Sequence, residues 1–152
     1  MAVLALVAYV FTPETPSGRA DCAAPAAERV NWSNCKLPGL VADQANLRGA
    51  LVRNMDLTAA HLVAANLIGA DLAYTLLNLA DLRRADLSNA RMTGAGLRSA
   101  DLRGARLAGA DMSYADLSAA RLESAEFSET RFDNAIWVDG RVCKPGSVDR
   151  CL

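Results

Sequence analysis

The side chains able to do chemistry in this sequence are four cysteines, one histidine and a recurring set of aspartates. Cys22 and Cys35 precede a long cysteine-free middle, and Cys143 and Cys151 follow it. Four cysteines allow three pairings, and an even count at the two borders points to disulfides in an oxidising compartment. Free thiols and a bound metal are the competing readings. Zinc sites space neighbouring cysteines a few residues apart, whereas Cys22 and Cys35 are separated by 13 and Cys143 and Cys151 by 8, with His61 far away in sequence. The aspartates recur at a fixed interval, so their pairing is no sign of acid–base design. There is no phosphate loop, nucleophile elbow or metal triad. The expectation is a protein without catalytic, cofactor-binding or metal-binding residues.

The interval that places the aspartates is five residues. Ala-Asp-Leu-Ala-Tyr stands at 70–74, Ala-Asp-Leu-Arg-Arg at 80–84, Ala-Asp-Leu-Ser-Asn at 85–89 and Ala-Asp-Leu-Arg-Gly at 100–104. From Ala45 to Asp139 the phase holds over 19 units without insertion, and Trp32, Leu37 and Ala42 keep it earlier. The central residue, i, is Leu thirteen times, and position i−2 is Ala sixteen times, with Met55, Thr75 and Thr130 as exceptions. Internal repetition of this kind indicates a stacked array.

A five-residue period spirals around a helix and gives it no apolar face. In an extended chain, i−2 and i point to one side and i−1 to the other. Ala and Leu then face inward and the mostly polar i−1 residue outward. Position i+2 is Gly at 49, 69, 94, 104 and 109 and Asn at 54, 89 and 134, residue types that accept the positive φ of a type II turn. Four short sides and four corners close a square coil of 20 residues, each coil stacked on the last by parallel backbone pairing. Nineteen units make nearly five coils, a rod about 24 Å long. A narrow interior explains abundant Ala and Leu and only 5% aromatic residues.

If that rod is rigid, its ends lie too far apart for a bridge, which leaves Cys22–Cys35 and Cys143–Cys151. The apolar run Ala2–Phe11 has the length of a secretory h-region, and Gly18-Arg19-Ala20 offers small residues for cleavage. No Lys or Arg precedes the run. The chain therefore divides into a leader or apolar segment (1–20), an N-terminal cap (21–44), the repeat block (45–139) and a C-terminal cap (140–152). No apolar run reaches the roughly 18 residues that span a bilayer.

The repeat resembles that of the pentapeptide repeat proteins, A-[DN]-L-x-x, and the cysteine-bearing flanks resemble those of exported bacterial members. The resemblance implies an all-β fold, a right-handed quadrilateral parallel β-helix (solenoid) with short capped ends. Trp32 and Trp137 are expected as lids over the end coils. The family's best-known activity is protection of DNA gyrase by an acidic rod that imitates the duplex. A duplex carries about one negative charge per 1.7 Å, but net charge here is −1 and the repeat block holds 12 Asp+Glu against 10 Arg. The outward column Leu51, Asp71, Arg91, Asp111, Arg131 alternates in sign, as expected of charge ladders between coils. His61 occupies an outward slot and is not expected to be a ligand. Tyr74, Tyr114 and Leu79 are exceptions among short surface side chains, and the two tyrosines, on one corner two coils apart, form a candidate protein-binding surface. The reading is a non-catalytic structural or interaction scaffold, periplasmic or secreted, with an unknown protein partner, no nucleic acid, no stable transmembrane span and no cofactor. The alternative is a cytoplasmic DNA-imitating regulator or protector of gyrase.

Overall fold

A computed structural model describes residues 19–152. The expected leader, residues 1–20, therefore falls outside the described residues except for its last two. Each unit turns where the period predicts. The residue two beyond the central leucine is left-handed: φ is 63° at Gly49, 52° at Asn54, 65° at Gly69 and 57° at Asn89. The alanine that opens the next unit donates its N–H across the corner to the leucine carbonyl, Ala50 to Leu47 at 3.0 Å and Ala85 to Leu82 at 3.1 Å. A closed four-residue turn with its third residue left-handed has the type II pattern. Ala59, Arg84, Tyr74, Leu79 and Tyr114 take the same left-handed conformation, although side chains without a short polar group resist it.

The outward residue of each unit is bridged in parallel to the one 20 positions on, as in Asn31, Leu51, Asp71, Arg91, Asp111 and Arg131. One coil thus takes 20 residues on four five-residue sides, and the stack already includes residue 31. Two bonds flank each bridge: Leu72 N–H donates to the Arg91 carbonyl at 2.7 Å, and Arg91 N–H donates to Ala70 at 2.9 Å. The pairing is sparser than that of a sheet. Each side contributes a single bridged residue because the next corner interrupts the backbone before a second can form.

The interior is a ladder of fully buried leucines, including Leu62, Leu72, Leu82 and Leu102, lined by alanines with no exposure. Met55, Met92 and Met112 fill the same space. Thr75 and Thr130 replace alanine without loss, since their hydroxyls donate to the carbonyls of Val52 (2.6 Å) and Leu107 (2.7 Å). At the N-terminal end Trp32 is buried and donates its indole N–H to the Ala24 carbonyl at 3.0 Å. At the other end Phe132 meets Trp137 edge to face at 5.1 Å and Phe127 at 5.5 Å. Disulfides Cys22–Cys35 and Cys143–Cys151 close the two ends, with Cα separations of 5.6 and 4.8 Å.

Removing one rung of the ladder leaves a cavity that rigid neighbouring coils cannot fill. Leu82→Ala is expected to lower stability by about 2–5 kcal/mol, read by denaturant unfolding. Reducing both disulfides is expected to cost about 2–4 kcal/mol per bridge. An unchanged unfolding midpoint in reductant would show that the caps hold without them.

Candidate interaction surface

The outward aspartates are committed to the corners. Asp56 Oδ1 accepts the Thr58 backbone N–H at 3.0 Å, and Asp86, Asp111 and Asp116 accept those of Ser88, Ser113 and Ser118 at 3.0–3.1 Å. Asn31 and Asn66 do the same for Ser33 and Ile68. This is the Asx-turn, and it explains why the unit alternates between Asp and Asn. Where serine follows, its hydroxyl adds a second bond to the same oxygen, as Ser88 does at 2.6 Å.

Charge pairing is accordingly more local than the expected ladders. The closest pairs lie within one side, Arg83–Asp81 and Arg103–Asp101, both at 2.6 Å. Pairs between successive coils exist but are longer: Arg91–Asp71 and Arg106–Asp86 at 3.5 Å, Arg121–Asp101 at 3.7 Å. The guanidinium beside Asp81, Asp101 and Asp133 holds each carboxyl below its usual range. For Asp56 the Thr58 amide is the main cause. At Asp86 and Asp111 burial pushes upward, and the hydroxyls and amides of Ser88 and Ser113 outweigh it. Carboxylates held in this way serve the corner, and their arrangement supplies no proton-transfer pair.

The structure places Tyr74 and Tyr114 on one corner column with Gly94 between them, 55% and 64% exposed. The Tyr74 ring lies across Gly94, where an added Cβ would stand 2.6 Å from its Cε1. Leu76 and Leu79, on the side that Tyr74 opens, are 46% and 63% exposed. Leu76 and Asn78 lean over Gly96, which leaves that spot low. The sequence reading singled out the tyrosines and Leu79 but not Leu76. Its signal was an apolar residue in the slot that the repeat gives to Asp or Asn. His61 is exposed, bridged between Val41 and Asp81 on a different side of the coil. The cysteines meet in pairs at the ends, away from this surface. Among the described residues no helix is long and apolar enough to cross a membrane.

The family profile "Pentapeptide repeats" matches residues 42–73, 60–98 and 100–136. No curated protein matches the sequence. Among solved structures, a pentapeptide repeat protein of the Arabidopsis thaliana thylakoid lumen is 29% identical at TM-score 0.51, over 58% of this chain and 65% of that one. A pentapeptide repeat protein from Nostoc PCC 7120 is 36% identical at TM-score 0.52, over 53% and 66%. QnrB1, a plasmid-mediated fluoroquinolone resistance protein, is similar at TM-score 0.62 and 19% identity, over 72% and 61%; that likeness is one of fold alone. The chain spans less than two thirds of the length of each.

A carboxyl whose folded value lies below the usual 3.8 stabilises the fold above that pH, and the contribution is lost as pH falls through the lower folded value. The thermal midpoint is expected to be flat down to about pH 5 and to fall below about pH 4. Asp86→Ala should cost about 1 kcal/mol at neutral pH. Asp86→Asn should keep the corner, as Asn31 and Asn66 do. Equal losses in both variants would show that the corner bond is not what the aspartate contributes.

Proposed function

The chain belongs to the pentapeptide repeat family, and from that premise we propose that it is a non-catalytic scaffold that binds a protein partner outside the cytoplasm. The carrying observation is the side bearing Tyr74, Leu76 and Leu79, with Tyr114 at the same corner. Four large apolar or amphipathic side chains stand exposed there on a coil whose other outward residues are mostly short or charged. Exposed apolar groups gathered on one face mark interaction sites more often than scattered ones do. On this reading the coil is a right-handed quadrilateral β-helix with its repeat block at 45–139, an N-terminal capping segment 21–44 that already stacks from Asn31, and a C-terminal cap 140–152. The two disulfides favour a periplasmic or secreted location. A leader in residues 1–20 and a bacterial source are parts of the same proposal.

A cytoplasmic DNA imitator directed at gyrase is less well supported. Its outer face would need closely spaced, unpaired negative charge, and here Asp71, Asp81, Asp86 and Asp101 each lie against an arginine.

Cross-linking in the envelope fraction of cells tests the scaffold reading. The full chain is expected to capture a defined protein there, and Leu76→Arg should reduce capture by about tenfold with unchanged circular dichroism. Equal capture by both would remove the tyrosine-bearing side from consideration. Non-reducing mass spectrometry of protein recovered from cells is expected to find both disulfides formed. Four free thiols would sink the extracytoplasmic placement.

A further inference from the structure

The C-terminal cap covers half of the last coil. The chain reverses after Gly140 and lays Val142 and Val148 antiparallel over Ile136 and Arg131. Five backbone bonds close that layer at 2.8–3.1 Å, one of them from Asn134 to Cys143. Phe132 donates to Ser147, Trp137 to Arg141, Cys143 to Ala135 and Asp149 to Thr130.

The sides at Arg121 and Glu126 present the same pattern of backbone groups with none of the described residues paired over them. One coil below, the N–H groups of Leu102, Gly104, Leu107 and Gly109 donate to the next coil at 2.7–3.0 Å. The carbonyls of Ala100 and Ala105 accept from it at 2.9 Å. Among the described residues, the equivalent N–H groups of Leu122, Ser124, Phe127 and Glu129 and the carbonyls of Ala120 and Ala125 have no backbone partner. The floor beneath this edge is apolar. Leu122, Ala125 and Phe127 are half-buried, while their counterparts Leu102, Ala105 and Leu107 are fully buried. The rim carries three carboxylates: Glu123 and Glu126 are 65% and 73% exposed at the side chain and meet Arg121 and Arg106 only at 3.9 and 4.0 Å, Glu129 is exposed, and Arg121 is the one cation among the outward residues of these two sides.

An unpaired backbone edge is a template for a further strand. The cap layer pairs with residues 130–137, so the edge at residues 120–129 forms a step one strand lower beside it. We propose that this open half of the C-terminal edge docks an extended basic segment of a partner protein. The segment lies antiparallel over residues 120–129, bends at the Ser124 corner as the cap bends between Val142 and Val148, and continues the layer that the chain's own cap begins. Its apolar side chains sit on Leu122 and Phe127, and its lysines or arginines stand beside Glu123, Glu126 and Glu129. The site is separate from the tyrosine-bearing side and does not depend on it.

Amide hydrogen exchange on the full chain, with and without a peptide of two Lys-Val-Lys stretches joined by Pro-Gly, tests the proposal. In the free protein, Leu122, Ser124, Phe127 and Glu129 are expected to exchange fast, while Leu102, Gly104, Leu107 and Gly109 are protected. Saturating lysine peptide should slow the first four by roughly tenfold or more. A valine–glutamate peptide should not, and Glu126→Lys should raise the Kd of the lysine peptide about tenfold. The proposal is overturned if the four amides are already protected in the protein alone, or if the two peptides act alike or not at all. Protection that grows with protein concentration would also overturn it, since a second copy would then cover the edge.

Discussion

Every fifth residue from Arg29 to Asn134 passes through a left-handed corner, and the rest of the structure follows from that constraint. A residue other than glycine, asparagine or aspartate in this conformation costs about 1–2 kcal/mol, and Gln44, Ala59, Ala64 and Arg84 all adopt it. No single coil can offset that cost, because its leucines would remain exposed above and below. Stacking supplies the compensation, with a net of about 0.5–1.5 kcal/mol per backbone bond and about 1.5–3 kcal/mol per buried leucine. The fold is therefore a property of the array. Its weak points are the two ends, where disulfides and aromatic side chains concentrate.

The corner also decides what the outward side chains do. A carboxylate or carboxamide at i−1 lies beside the N–H of i+1, which points out of the ladder at the turn, and satisfies it at about hydrogen-bond distance. Repeated down the rod, the arrangement looks from outside like a charged surface. One oxygen of each outward aspartate bonds the backbone of its own side, and the second is left for an arginine, as at Asp81 and Asp101. Corner chemistry thus accounts for the carboxylates of the outward columns, and the arginines beside them bring the repeat block close to neutrality.

The parts of the fold legible in the sequence are those the period determines. Leu82 and Ala85 face inward because i and i−2 share a side, and Gly49 and Asn54 mark corners because few residue types accept positive φ. The Asx bonds were not legible. A polar outward slot looks the same whether its carboxylate reaches to the next coil or back to its own corner, and only distance separates the two. Thr75 and Thr130 were visible as exceptions, but the carbonyl each one meets belongs to a residue 23 positions earlier that only the coil brings near. The cap was legible as cysteines and a tryptophan. Its coverage of two sides out of four depends on where the chain reverses, which no periodicity encodes.

In a repeat protein, residues that obey the repeat are explained by the repeat, so function is to be sought where the rule is broken without a structural return. Thr75 breaks it and is repaid by a buried bond, and Phe132 breaks it and fills the end of the core. Tyr74, Leu79 and Tyr114 break it differently. They place bulky groups at left-handed corners, where they stay more than half exposed and where glycine or asparagine would fit with less strain. Leu76 likewise gives up a slot in which aspartate would have bonded its own corner. Neither the ladder nor the corners explain these four. Their common location on one side is an argument from cost, separate from their exposure, that this side faces something other than water.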